Sequence, residues 1–279
     1  MLGLVASYRS LGNGEIVVKS IADRMGQDWR LFLVRLPKLS ILPCKGCFAC
    51  LLPGEHCRLG DDLDWLLERI NESDVVIFSA PNYAMGPVGI VKMIADRAIQ
   101  ASGYHPEFSK KRTAVALTLG REEYRGYADT ALVSQVAALG LDVVSLECFY
   151  GMYPGEVALA EDFEDRTGQV ARVLTSPNYE REVPAERCPS CFSDLFRMHP
   201  DGLECATCKA LARREGNSLK FFRFHPEFTE AGRARHLKWA LTRKEEYETI
   251  RDRLKTVQEE YRGGRWICPP NPELGRDDQ

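Results

Sequence analysis

The feature that most limits how this chain can fold is a set of five short runs: 2–6 (LGLVA), 31–36 (LFLVRL), 74–80 (DVVIFSA), 112–119 (RTAVALTL) and 141–150 (LDVVSLECFY). They are apolar or β-branched almost throughout, without polar alternation, as strands covered on both faces should be. Amphipathic stretches separate them, near 14–26, 61–73, 87–102, 125–139 and 156–175. In one of these, Leu63, Leu66, Leu67 and Ile70 recur at helical spacing behind the acidic start Asp61-Asp62, which suits the positive end of a helix. Strands alternating with helices predict an α/β fold with a doubly wound parallel sheet. Ligands of such sheets sit beyond the carboxyl ends of the strands. Loops 7–14, 43–60, 81–87 and 120–126 therefore share one rim.

The alternation stops near residue 178, so residues 1–178 are expected to form the α/β domain of the 279-residue chain. Residues 176–187 (SPNYEREVPAER) read as a polar linker, 187–210 as a small Cys-rich unit, and 211–279 as a helical extension. In the extension Ala240, Tyr247, Leu254 and Tyr261 recur every seven residues, with Ile250 and Val257 between them. Residues 209–265 carry 15 Lys+Arg against 9 Asp+Glu. A solvated helix face explains that excess, and an acidic protein partner is the alternative. A net charge of −3 argues against nucleic-acid binding. No apolar run approaches the ~18 residues of a membrane-spanning helix, and the amino terminus reads as a first strand rather than a signal segment. A cytoplasmic protein without membrane contact is expected.

Ten cysteines are the strongest chemical signal. Cys44, Cys47, Cys50 and Cys57 fall within fourteen residues, three of them at x2 spacing. This resembles the run that wraps a [4Fe–4S] cluster, with zinc or redox-active thiols as alternatives. Cys188, Cys191, Cys205 and Cys208 form two Cys-x2-Cys knuckles joined by a thirteen-residue spacer whose Pro200-Asp201-Gly202 is a turn. That pattern resembles a zinc ribbon, with a rubredoxin-like single iron as the alternative. Cys148 ends an apolar run and reads as core. His56, beside Cys57, reads as an exposed loop residue, with tuning or replacing a ligand as the alternative, and Cys268 has no partner in the sequence.

Two further rim loops carry polar chemistry. Ser7, Arg9, Gly12, Asn13 and Gly14 lie between the first strand and the first helix, where hydroxyls, a guanidinium and a helix amino terminus suit a phosphate. An ordinary Ser/Gly turn is the alternative; neither the P-loop nor the dinucleotide fingerprint is present. Pro81, Asn82, Tyr83, Ala84, Met85 and Gly86 offer an aromatic, an amide and a stiff backbone, which suit a flat heterocycle or make a plain structured turn.

Together these residues resemble the iron-sulfur flavoproteins within the NAD(P)H-dependent FMN reductases. The resemblance covers residues 1 to about 175. It rests on Ser7, Arg9 and Asn13, on the compact cysteine run followed by Asp61-Asp62, and on Ser79-x-Pro81-x-Tyr83 followed by Lys92 and Asp96-Arg97. Gly14 departs from it, standing where the family has Thr or Ser. The resemblance implies a flavodoxin-like five-stranded sheet of order 2-1-3-4-5, with FMN phosphate in 7–14 and its ring against 81–86. It also implies NAD(P)H as a possible co-substrate and a symmetric dimer or tetramer. Such a protein is an oxidoreductase passing electrons between NAD(P)H or a protein donor and an acceptor. The alternative is an electron carrier or redox sensor that docks a partner through ribbon and basic helices. No other catalytic constellation is evident.

Overall fold

The computed structural model describes residues 1–51, 57–179, 181, 183–225 and 230–262; His56 and Cys268 lie outside them. Strand β1 (Leu2–Val5) leads through helix α1 (Asn13–Arg24) to β2 (Phe32–Arg35), and α2 (Leu63–Asn71) leads to β3 (Val75–Tyr83). A two-residue strand β4 (Gly86–Pro87) folds back on β3 before α3 (Gly89–Ala95) and the one-turn α4 (His105–Phe108). Then follow β5 (Arg112–Leu119), α5 (Ala128–Ala138), β6 (Asp142–Tyr150) and α6 (Phe163–Thr175). The strands pair in parallel in the order β2-β1-β3-β5-β6. Counting the parallel strands alone, this is 2-1-3-4-5, as expected.

Period-two alternation divides the central strands between two cores. Along β3, Val76, Phe78 and Ala80 join one core, where they meet Leu66 of α2, Ile94 of α3 and Leu132 of α5. Val75 and Ile77 face the other, with Val17 and Ile21 of α1 and Val170 of α6. Each fully buried Leu, Ile or Val in these layers contributes about 1.5–3 kcal/mol.

Three expectations are corrected. The run 31–36 does not form a strand covered on both faces: β2 is an edge strand, and Phe32 and Leu33 are exposed. The helix expected over 87–102 is shorter, because Arg97 leaves helical geometry (φ −107°, ψ 18°) and a 3₁₀ segment occupies Ala98–Tyr104. Likewise the stretch 156–175 is helical only from Phe163, after a 3₁₀ turn at Glu156–Leu159.

The Cys-rich segment is larger than its expected limits. Residues 211–223, expected as helix, form β9 (Leu211–Glu215) and β10 (Ser218–Arg223), which extend the hairpin of β7 (Phe196–His199) and β8 (Gly202–Cys205) into a four-stranded antiparallel sheet. The expected linker is packed too. Tyr179 donates its hydroxyl to Val144 O (2.5 Å), and Val183 lies against the first core. Residues 1–235 consequently form one compact unit and residues 236–279 a second. Helix α7 (Glu230–Glu260) supplies the described helix of the latter, with Tyr247, Ile250 and Val257 exposed. Among the described residues no helix is long and apolar enough to cross a membrane.

Candidate flavin site and metal centres

The loop after β1 is braced from several sides. Gly12 caps α1 in extended geometry, and its carbonyl accepts from Ile16 N (3.1 Å). The preceding N–H groups of the first turn are the orphan donors of a helix start. Asn13 uses its side chain elsewhere: Nδ2 donates to Gly151 O (2.8 Å) and Oδ1 accepts from Gly155 N (2.9 Å), tying the loop after β6 to this one. Arg9 is exposed and donates to Met152 O (3.2 Å), while Ser7 Oγ accepts from Arg9 N (3.3 Å).

Two residues not singled out in the sequence support that loop. Arg35 donates to Ser7 O (2.9 Å), Arg9 O (2.6 Å) and Glu15 Oε2 (2.6 Å). Buried Glu15 also accepts from Leu11 N (2.9 Å) and Lys19 Nζ (2.7 Å). Burial alone would raise its pKa, but the hydrogen bonds from Lys19, Arg35 and Leu11 prevail and hold it at about 2. Glu15 is thus compensated by Lys19 and Arg35, while exposed Arg9 and Lys38, the latter 6.0 Å from the Tyr8 ring centroid, add positive charge beside the loop. Gly14 is required by its neighbour: a Cβ there would lie 2.5 Å from Ser79 Oγ. That hydroxyl is buried and has no partner among the described residues. A helix amino terminus, exposed cations and an unpartnered buried hydroxyl fit the phosphate of FMN.

The second loop is a tight hairpin. Asn82 pairs with Pro87 and Tyr83 with Gly86, and the two turn residues, Ala84 (φ 50°) and Met85 (φ 65°), both adopt left-handed geometry. Type I′ turns need this at both positions and ordinarily recruit Asn and Gly; non-glycine residues there cost on the order of 1–3 kcal/mol each. The neighbouring loop holds the turn in place. Asn82 Nδ2 donates to Tyr124 O (2.6 Å), Tyr127 N donates to Met85 O (3.1 Å), and Gly126 (φ 58°) leaves room for Met85. Tyr83 remains 55% exposed on the rim. The 81–86 and 120–126 loops are therefore one structure, with an aromatic surface and a strained turn of the kind found at ligand sites.

The cysteine loop follows β2 on the same rim. Cys44 and Cys47 are exposed, while Cys50 and Cys57 are half-buried. Burial first, and then the nearby charge of Cys57, raises the Cys50 thiol. Asp61 and Arg97, both nearly fully buried, form an ion pair at the base of the loop, and Arg97 Nη2 also donates to Cys57 Sγ (3.5 Å). A cavity of about 570 Å³ near Trp29, Phe32 and Trp65 lies at the amino ends of the strands, opposite the edge where parallel sheets bind ligands.

Comparison with known proteins decides the family: residues 1–153, more than half of the chain, match the NADPH-dependent FMN reductases. The chain belongs to that family. It is similar to two iron-sulfur flavoproteins of Archaeoglobus fulgidus. One is 29% identical over 161 residues, spanning 56% of this chain and 70% of that one. The other is 34% identical over 127 residues, or 45% and 60% of the two chains. In fold it is similar to a solved flavone reductase (TM-score 0.72, 18% identity, 97% of this chain and 99% of that one). As a member of the FMN reductase family, the chain is an FMN-binding oxidoreductase.

Beyond the matched region, the chain gathers Cys188, Cys191, Cys205 and Cys208. Their sulfurs all lie within 4.8 Å of one another, with Cys188–Cys208 at 3.4 Å and Cys191–Cys205 at 3.5 Å. Four thiolates around one tetrahedral zinc, at ~2.3 Å each, stand about 3.8 Å apart, so the set fits a single ion. It is the one set of this kind among the described residues. The 44–57 sulfurs are not drawn in as tightly as these; by the chemistry of the donor set, their four thiols match the four ligands that a cubane would need. Charged side chains seat the ribbon on α5. Arg187 donates to Asp129 Oδ2 (2.6 Å), whose side chain is 0% exposed, and Asp194 accepts from Thr130 Oγ1 (3.0 Å) and pairs with Arg125 (3.2 Å). Burial would lower the Arg187 pKa, but its bond to Asp129 raises it instead. Cys148 packs against the first core, and burial pushes its thiol up to about 12, which makes it unreactive.

Proposed function

We propose that this FMN reductase passes electrons between NAD(P)H or a protein donor and an acceptor, using FMN and a [4Fe–4S] cluster. FMN phosphate is held by the 7–14 loop and the α1 amino terminus, and its ring rests against 81–86. Cys44, Cys47, Cys50 and Cys57 ligate the cluster, and Cys188, Cys191, Cys205 and Cys208 bind a structural zinc. Bound together, a two-electron flavin and a one-electron cluster supply the exchange between hydride and single-electron chemistry.

The observation that carries this reading is the continuity of the rim. The hairpin 81–87 runs directly into α3, and Arg97, just beyond that helix, bonds Cys57 of the cysteine loop. Phosphate loop, ring loop and cysteine loop all follow carboxyl ends of neighbouring strands. Exposed Tyr83, Tyr124 and Tyr127 on that rim support a homo-oligomer that covers the flavin. Free thiols at all nine described cysteines support a reducing, cytoplasmic setting.

The test is anaerobic purification followed by metal, sulfide and flavin analysis. The expected result is one FMN, about four irons with matching labile sulfide and one zinc per chain. Zinc without sulfide at 44–57, or failure to take up FMN, would overturn the respective part.

A further inference from the structure

The Asp61–Arg97 pair is more deeply buried than a loop anchor needs: the two side chains are 1% and 2% exposed. Burying an ion pair gains nothing over apolar packing unless the remaining donors and acceptors are satisfied, and here the partners are specific. Asp61 accepts from Leu42 N (2.7 Å) and Leu63 N (3.3 Å). Arg97 donates from Nη1 to Asp61 and Leu42 O (3.3 Å), and from Nη2 to Gln100 Oε1 (3.0 Å) and Cys57 Sγ (3.5 Å). One pair therefore grips both ends of the cysteine loop, two residues before Cys44 and at Cys57 itself. Among the described residues, Arg97 Nε is a further buried donor without a partner.

We infer that Arg97 is a positioning residue that holds the Cys57 sulfur in place as a cluster ligand and, by hydrogen bonding to it, raises the cluster's reduction potential. The inference rests on the proposed [4Fe–4S] site. A cluster carried by four thiolates is anionic and gains a further negative charge on reduction. A hydrogen bond to a ligating sulfur stabilises the reduced form more than the oxidised one. Asp61 fixes the guanidinium plane so that one edge serves the carboxylate and the backbone, leaving Nη2 for the sulfur. Lysine could supply the charge but not this fork.

The experiment uses the full chain, reconstituted anaerobically with iron, sulfide and FMN. Wild type, Arg97→Lys and the charge-neutral pair Asp61→Asn/Arg97→Gln are compared by circular dichroism, iron and sulfide content, and redox titration followed by electron paramagnetic resonance. The expected result is a more negative cluster midpoint and several-fold faster iron loss to a chelator in both variants, with FMN content unchanged. A second measurement needs no variant: the reduced wild-type cluster should couple to an exchangeable deuteron near one cysteine sulfur. Unchanged potential and iron retention in folded variants, or no such deuteron in wild type, would overturn the role of Arg97 while leaving the cluster in place. A wild-type protein with no cubane would instead overturn the cluster assignment itself.

Discussion

Gly14 and Ser79 occupy one another's space. The position a Cβ would take on Gly14 is 2.5 Å from the Ser79 hydroxyl, which is buried and makes no hydrogen bond among the described residues. Ser79 belongs to the shared pattern, whereas Gly14 stands where the resemblance places a Thr or Ser. Gly14→Ala should lower stability by about 1–2 kcal/mol through overpacking, and Gly14→Ala/Ser79→Ala should exceed wild type, because a helix gains from Ala and an unsatisfied hydroxyl is removed. Urea unfolding of the apo-proteins measures this. A double variant less stable than Gly14→Ala would contradict the pairing.

Glu15 makes stability depend on acid. Its folded pKa of about 2 lies below its ordinary value of 4.5, so its contribution is complete above about pH 4.5 and is lost as pH falls toward 2. Glu15→Gln should lower stability at neutral pH and flatten the stability–pH slope between pH 4.5 and 2. Denaturant titrations across that range check both.

Arg9 is the exposed cation of the loop proposed to hold the phosphate, and its guanidinium bonds Met152 O alone among the described residues. Arg9→Ala should weaken FMN binding by roughly 1.5–3 kcal/mol, ten- to a hundred-fold, with little change in apo stability. Flavin fluorescence titration reads the affinity, and an unchanged value would remove Arg9 from the site.

Asp129 tests how the ribbon is seated. Asp129→Ala removes the nearest carboxylate of Arg187 (2.6 Å) but leaves Asp194 at 3.4 Å, and should cost about 1–3 kcal/mol. Cys205→Ser should release zinc and lower stability yet leave FMN reduction by dithionite intact, since zinc has no redox role. Native mass spectrometry and anaerobic absorbance titration report each outcome. A folded Cys205→Ser variant that binds FMN but no longer accepts electrons would place the ribbon in the electron path.

The sequence by itself determined the parallel sheet and its helices, because strands buried on both faces cannot alternate polar and apolar residues. It also determined that Cys188, Cys191, Cys205 and Cys208 meet, because the spacing of two knuckles is local, and where the two polar rim loops lie, because they directly follow strands. Tertiary structure decided the rest. That β2 is an edge, with Phe32 and Leu33 exposed, follows from strand order rather than from the run itself. Helix α3 ends at Ala95, and Arg97, two residues on, is non-helical and bonded to Asp61 and Cys57, about forty residues earlier in the chain. Arg35 and Glu15 look like ordinary charges until the fold brings one against the other. Residues 176–187 are polar like a linker, yet Tyr179 and Val183 pack against the core and Arg187 is drawn to Asp129. Spacing along the chain encodes ligands that share one loop; it does not encode long side chains that meet across the sheet, because their pairing depends on where distant elements come to rest.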